Sequence, residues 1–191
     1  VSNIVLMLSG ILFVPLGVAF YYEDDSAIWA FIYTIIVTGI LGGLSKMFFR
    51  KKAADIGIRE GIAIVTFSWI LCIFLGALPF WYAGVCATYC DAIFETTSGF
   101  TTTGSSIFKD VEILPHSILF WRAFTAWLGG MGIIVIFVAL LPAMGISGYQ
   151  LFSAEVSGPT ADRLKPRIGE TAKLLWIIYL VITASLILAL F

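Results

Sequence analysis

The residues of this sequence best suited to bind a ligand form one polar run, residues 101–106, which contains no long side chain. Threonine favours extended backbone, and Gly104 can adopt the positive φ angle that turns consecutive carbonyl groups toward one axis. A ring of such carbonyls can replace the hydration shell of a monovalent cation. The run is therefore predicted to bind a dehydrated cation through main-chain oxygens, and an ordinary Ser/Thr-rich outer loop is the alternative.

A short helix is predicted immediately before this run, over residues 91–99. Asp91 suits its N-terminus, where a carboxylate meets the positive end of the helix dipole, and Gly99 suits its C-terminal stop. The helix is too short to cross a bilayer, and its negative C-terminal end would attract a cation. Glu95 is expected to form hydrogen bonds behind the polar run of residues 101–106. Because Asp91 and Glu95 lie four residues apart, a catalytic carboxylate pair is the alternative.

Apolar stretches long enough to span a bilayer surround this segment. They comprise residues 4–22, 27–49, 61–83, 117–141 and 174–191. Because 60% of the 191 residues are hydrophobic and only 12% are charged, the sequence predicts an all-α integral membrane protein. Residues 84–116 are too polar to span. We therefore predict a multi-span helical bundle with one helix, re-entrant pore loop, helix unit, in which residues 87–106 form the pore loop.

The charges of the connecting loops alternate in sign along the chain. Residues 21–26 are acidic without a base, and residues 84–116 are predominantly acidic, whereas residues 46–60 and 142–173 carry clusters of Lys and Arg. Short cytoplasmic loops collect basic residues, so the N-terminus is predicted to be cytoplasmic. The net charge of −1 gives no indication of nucleic-acid binding, and three cysteines with one histidine do not make a zinc ligand set.

Three motifs carry a resemblance to a known family. They are Asp-Ala-Ile-Phe-Glu-Thr-Thr-Ser-Gly-Phe-Thr-Thr-Thr-Gly at residues 91–104, Trp-Leu-Gly-Gly-Met-Gly-Ile at residues 127–133, and Pro-Arg-Ile-Gly-Glu-Thr-Ala at residues 166–172. With these motifs the chain resembles the Trk/Ktr/HKT superfamily of potassium transporters, and within it the membrane subunit of bacterial Trk systems. The filter lacks a Gly-Tyr-Gly ending, which indicates looser selectivity between potassium and sodium.

The resemblance implies four helix, pore loop, helix units around one pore, preceded by two extra helices. Residues 1–60 would hold the extra helices and a basic cytoplasmic loop, and residues 61–141 the first unit. Residues 142–173 would be a cytoplasmic connector, and residues 174–191 the first helix of a second unit. We therefore expect the chain to be the N-terminal portion of a longer polypeptide.

The resemblance also assigns roles to single residues. It implies that Thr102 and Thr103 contribute potassium ligands, with Gly104 as the filter glycine and Thr101 beside them. The pore-helix supports would then be Asp91, Glu95 and Gly99.

The same resemblance implies the substrate and the partners. Potassium would be the substrate, and no covalently bound cofactor is expected. The full-length subunit would form a homodimer in the lipid of the bacterial inner membrane, and a cytosolic nucleotide-binding regulatory subunit of the Trk type would dock on residues 46–60 and 145–173. No covalent chemistry is required, so no enzyme is predicted. A pore built from identical short chains and an intramembrane enzyme using Asp91 or Glu95 are the alternatives.

Overall fold

The structure is a computed structural model that describes residues 1–48, 58–140 and 168–190, with side chains for residues 1–48, 60–132 and 173–190. Every regular element within these ranges is an α-helix, which confirms the predicted fold class. The helices are α1 (Ser2–Ile11), α2 (Phe13–Tyr21), α3 (Asp25–Phe48), α4 (Ile58–Tyr82), α5 (Tyr89–Phe100), α6 (His116–Leu140) and α7 (Ile168–Leu190).

Four segments of the described residues are long and apolar enough to cross a membrane. They are Ser2–Tyr21, Asp25–Phe48, Glu60–Tyr82 and Lys173–Leu190. Helix α6 adds 25 consecutive helical residues at the position of the fourth predicted stretch. The predicted multi-span bundle is thereby confirmed. The basic loop predicted between α3 and α4, and most of the connector predicted after α6, lie outside the described residues.

The chain divides into two compact units, Val1–Gly130 and Met131–Phe191. The first unit contains α5, the polar run of residues 101–106 that follows it, and the helices packed around them. The second unit contains the end of α6 and all of α7.

Helices α1 and α2 form one nearly continuous rod interrupted at Leu12. Pro15 has no N–H group and therefore cannot donate to the carbonyl of Ile11, which is where α1 ends. The N–H of Leu12 still donates to the Leu8 carbonyl at 3.1 Å, and that of Leu16 to the Leu12 carbonyl at 3.2 Å. The interruption therefore does not divide the segment, and Ser2–Tyr21 remains a single candidate span.

Small residues allow α1 to pack closely on α3. A Cβ added at Gly42 would lie 2.8 Å from the Cγ of Leu6, so only glycine fits there without movement of the leucine. The Ser9 hydroxyl donates to the Ile35 carbonyl at 3.1 Å, and the Ser2 and Ser45 hydroxyls lie 2.7 Å apart. Close packing and interhelical hydrogen bonds are the usual means of joining helices in lipid.

Candidate functional site

The short helix α5 begins two residues earlier than predicted, at Tyr89. Its N-cap is Thr88, whose hydroxyl accepts from the Asp91 N–H at 3.2 Å, while the Asp91 carboxylate accepts from the Thr88 N–H at 3.0 Å. This is a reciprocal capping box, in which two otherwise unpaired donors are satisfied. Asp91 therefore takes part in the cap as predicted, but from the third helical position rather than the first.

The C-terminal end of α5 differs from the prediction. The helix continues past Gly99 to Phe100, and the left-handed residue that ends it is Thr102, with φ of 56°. The N–H of Thr102 donates to the Gly99 carbonyl at 2.9 Å and that of Thr103 to the Ser98 carbonyl at 3.0 Å. These are the two bonds of a Schellman motif. The predicted stop at Gly99 and the predicted extended backbone at Thr102 are therefore wrong.

A left-handed conformation is uncommon for a β-branched residue and costs about 1–2 kcal/mol. Backbone strain of this kind persists only where neighbouring structure enforces it, and it concentrates at functional sites. At Thr102 the two Schellman bonds provide that enforcement. Gly104 also has a positive φ, of 79°, as the sequence predicts.

The main-chain carbonyls of Thr101, Thr102, Thr103 and Gly104 accept no hydrogen bond from any residue that the structure describes. The run ends at Ser105, whose carbonyl accepts from the Ser98 hydroxyl at 2.6 Å. Residues 101–105 are all exposed. The segment thus presents four consecutive carbonyl oxygens to which no described residue donates, directly after the negative end of a short helix.

Two threonine hydroxyls in the run are paired with each other. The Oγ1 atoms of Thr101 and Thr103 lie 2.7 Å apart, and the Thr101 hydroxyl also donates to the Thr97 carbonyl at 2.7 Å. The side chains therefore brace the turn, and the main-chain oxygens are the free acceptors.

The Glu95 carboxylate is the centre of a buried polar cluster behind this run, as predicted. Only 1% of its surface is exposed, and it forms an ion pair with the Nε of Arg122 on α6. It also accepts from the Ser106 hydroxyl and from the Ile107 N–H, each at 3.1 Å. A buried charge is tolerated only when it is paired and hydrogen-bonded. Glu95 therefore ties α5 and α6 to the segment that begins at Ser106.

Glycines allow α5 to pack closely between α4 and α6. A Cβ at Gly129 of α6 would lie 2.1 Å from the Phe100 carbonyl oxygen, and a Cβ at Gly99 would lie 2.3 Å from the Oγ1 of Thr125. On the other side, a Cβ at Gly76 of α4 would lie 3.0 Å from the Phe100 ring. The role of Gly99 is thus close packing rather than helix termination.

Helix α4 is tied to its neighbours near its internal proline, Pro79. The indole N–H of Trp121 donates to the Gly76 carbonyl at 3.0 Å, and the Tyr89 hydroxyl donates to the Phe74 carbonyl at 2.6 Å. These bonds connect the backbone of α4 to α6 and to the first residue of α5. The pore helix is therefore held from both sides and at both ends.

Asp91 and Glu95 have separate partners, which does not favour a catalytic carboxylate pair. The carboxylate of Asp91 is bonded to Thr88 and that of Glu95 to Arg122. In the part of the chain that the structure describes, no three His, Cys, Asp or Glu side chains lie close enough together to hold a metal ion. The three cysteines, Cys72, Cys86 and Cys90, are free thiols.

Sequence reasoning missed several residues that support the polar run of residues 101–106. Thr88 was detectable, because a threonine three residues before an acid is the signature of a capping box. Ser106 and Ile107 carry no such signal, since their role depends on how the chain folds back onto Glu95. Gly129 lies in an apolar helix, where a glycine indicates close packing but does not identify its partner.

Comparison with known proteins places this arrangement in a family. A family model described as TrkH, cation transport protein, matches residues 27–191. The chain is 42% identical over 192 residues to the Trk system potassium uptake protein TrkH of Escherichia coli (strain K12), with 100% of this chain and 40% of that protein covered. It is 36% identical over 167 residues to the Trk system potassium uptake protein TrkG of the same strain, with 86% of this chain and 34% of that protein covered.

A solved structure has the same fold. The crystal structure of the potassium transporter TrkH from Vibrio parahaemolyticus matches with a TM-score of 0.81 and 35% sequence identity, covering 96% of this chain and 36% of that one. The chain thus spans about 40% of the length of the relatives it matches. The match of the family model over most of the chain and the agreement in fold lead to one conclusion: the chain belongs to the TrkH family of cation transport proteins.

Proposed function

We propose that this chain contributes one filter segment to a pore for potassium uptake, and that Thr102, Thr103 and Gly104, with Thr101, supply main-chain oxygens to the ion. The observation that carries the proposal is a run of four carbonyls on exposed residues at the negative end of α5, for which no donor is found among the described residues. Carbonyl oxygens in a ring can replace the water around an alkali cation. The names of the relatives indicate that the ion is potassium.

In this proposal the protein around the run keeps the carbonyls in place. Glu95 and Arg122 hold the segment that follows the filter, and the Schellman bonds hold the segment that precedes it. A dehydrated ion then meets oxygens that need little rearrangement, which lowers the cost of exchanging water for protein ligands. The helix dipole of α5 contributes further attraction for a cation.

The remaining expectations concern the whole protein. We propose that residues 1–60 carry the two extra helices, that residues 61–141 form the first unit, and that residues 174–191 begin a second. The full-length subunit would be a homodimer in the bacterial inner membrane with a cytoplasmic N-terminus, regulated by a cytosolic nucleotide-binding subunit of the Trk type. These proposals rest on the family resemblance and on the charge pattern of the loops.

The filter assignment can be tested at Gly104 in the full-length protein. Gly104→Ala adds a Cβ that meets no atom within 4 Å, so the substitution acts only through the backbone, whose φ is 79°. Alanine in this region costs about 1–2 kcal/mol, and we expect potassium uptake by a transport-deficient strain to fall by about tenfold. Initial rates of rubidium or potassium accumulation measure the effect.

Gly84 provides a matched control. It lies in the loop after α4, has φ of 73°, and also has no atom within 4 Å of an added Cβ. Gly84→Ala therefore imposes the same local strain outside the filter and should leave uptake nearly unchanged. Equal losses in the two variants would contradict the filter assignment, and a wild-type protein that fails to restore potassium uptake would contradict the function itself.

The proposed orientation can be tested with the cysteines at the start of the pore segment. Cys90 is exposed, whereas burial, with the nearby charges of Glu95 and Asp91, raises the pKa of the Cys86 thiol to about 11. A membrane-impermeant maleimide applied to intact cells near neutral pH should therefore label Cys90 and leave Cys86 unmodified, because the thiolate is the reactive form. Cys90→Ser should abolish the labelling. Labelling of Cys90 only in inverted membrane vesicles would reverse the orientation.

A further inference from the structure

A carboxylate in the first interhelical turn forms hydrogen bonds with the start of α6, 93 residues later in the chain. Asp24 Oδ2 accepts from the Ser117 N–H at 2.9 Å and from the Ser117 hydroxyl at 2.7 Å. Ser117 is completely buried, and Asp24 is half-buried. The contact joins the N-terminal pair of spans to the helix that follows the filter.

The arrangement is unusual because Asp24 directly precedes α3, yet its carboxylate accepts from a different helix. Its own carbonyl accepts from the Ala27 and Ile28 N–H groups at the start of α3. An aspartate at such a position normally accepts with its side chain from the first turn of its own helix. Here both bonds of the carboxylate go to Ser117 on α6 instead.

Helix α6 has neither a capping side chain before it nor an acidic residue in its first turn. The residue before it is Pro115, which has no hydrogen-bonding side chain, and its first turn contains no acidic residue. The first N–H groups of a helix need partners, and a negative charge there is favourable. Asp24 supplies both the acceptor and the charge from outside the helix.

The turn that carries Asp24 is fixed by its own backbone. The Asp24 N–H donates to the Ala19 carbonyl at 3.0 Å, and Glu23 adopts a left-handed φ of 55°. Next to the carboxylate contact, the rings of Tyr22 and His116 stack with centroids 4.4 Å apart and planes 6° apart. Two residues of the turn, Tyr22 and Asp24, therefore contact two adjacent residues of α6.

The same helix then carries the contacts that seat the filter. Trp121 bonds to α4, Arg122 pairs with Glu95, Thr125 packs on Gly99, and Gly129 packs on Phe100. These residues lie within the next 12 positions, a distance of about 18 Å along a helix. A shift or rotation of α6 at Ser117 would therefore move every one of these contacts.

From these contacts we propose that Asp24 is a positioning residue for the filter: the turn between α2 and α3 caps α6 in trans and thereby sets the height and rotation at which α6 presents Arg122 to Glu95. The first two spans thus hold α6 in position relative to α5. The inference rests on the proposed function, because its effect is read in ion discrimination.

The test compares Asp24→Ala with Asp25→Ala in the full-length protein. Asp25 is exposed, follows Asp24 directly and carries the same charge, and no hydrogen bond or ion pair with α6 is found for it among the described residues. We expect Asp24→Ala to lower the ratio of the half-saturating sodium to potassium concentrations by about three- to tenfold, and Asp25→Ala to leave it unchanged. A purely structural loss would lower the amount of transporter, and hence the maximal rate, without changing this ratio.

A second variant separates positioning from simple helix capping. Asp24→Ala combined with Pro115→Ser gives α6 an N-cap of its own but does not restore the connection to the turn. We expect ion discrimination to stay impaired in this variant. Recovery of the ratio, or equal ratios in Asp24→Ala and Asp25→Ala, would overturn the inference while leaving the transport function in place.

Asp24→Asn covers the case in which Asp24→Ala does not accumulate in the membrane. The amide keeps an acceptor for Ser117 but removes the charge, so the ratio should fall by less than about threefold. A ratio identical to that of the wild-type protein, together with the loss of Asp24→Ala, would show that Asp24 serves stability alone and would overturn the inference. Absence of potassium uptake by the wild-type protein would instead count against the proposed function.

Discussion

Replacing Glu95 by alanine in the full-length protein should abolish potassium uptake. The substitution leaves the Arg122 guanidinium without its partner and removes the acceptor from the Ser106 hydroxyl and the Ile107 N–H. Breaking a buried ion pair costs about 3–5 kcal/mol. If this free energy no longer holds the proposed filter segment in place, the uptake rate falls by more than about a hundredfold. Growth of a transport-deficient strain at low potassium measures the loss.

Arg122→Ala should be as damaging, because it leaves a carboxylate that is 1% exposed without a counter-charge. The double variant Glu95→Gln with Arg122→Gln removes both charges and should accumulate in the membrane better than Arg122→Ala. Its uptake should stay low, since the segment after the filter is no longer held by a charged acceptor. Glu112→Gln, at an exposed acid of the segment between α5 and α6, is the control and should leave uptake unchanged. Normal uptake by the double variant would show that the pair is dispensable.

The spans and the pore helix could be predicted because their signals are local. Apolar stretches of bilayer length identify helices in any lipid environment, and the polar segment between α4 and α6 could not span. The polar run at Thr101 was recognisable because short side chains leave the backbone as the only exposed chemistry. That Glu95 would be hydrogen-bonded could be expected, since an acid within a membrane protein requires a partner.

The features that were missed depend on contacts between distant parts of the chain. The left-handed backbone of Thr102 contradicts the preference of threonine for extended structure, and two bonds back to α5 enforce it. The bond between Asp24 and Ser117 links residues with no common motif. Gly99 was predicted to end the helix because glycine often does so. In the structure its lack of a side chain instead allows close packing against the Thr125 side chain.

Gly129→Ala should have an effect as large as the loss of Glu95, for a steric reason. The added Cβ would lie 2.1 Å from the Phe100 carbonyl oxygen and 2.9 Å from its Cα, and a backbone atom cannot move aside as a flexible side chain can. The C-terminal end of α5 must therefore shift, and the Schellman bonds of Thr102 and Thr103 shift with it. We expect uptake to fall by about a hundredfold or more, as for overpacking that costs about 3 kcal/mol.

Gly43→Ala is the matched control for this prediction. Gly43 also lies within a spanning helix, α3, but an added Cβ there meets no atom within 4 Å. Alanine is the better helix former by about 1 kcal/mol, so Gly43→Ala should accumulate at least as well as the wild-type protein and transport normally. Uptake by Gly129→Ala at the level of Gly43→Ala would mean that the pore helix tolerates displacement. Because the carbonyls of residues 101–104 follow directly on Phe100, the proposed filter could not then depend on the close packing of α6 against α5.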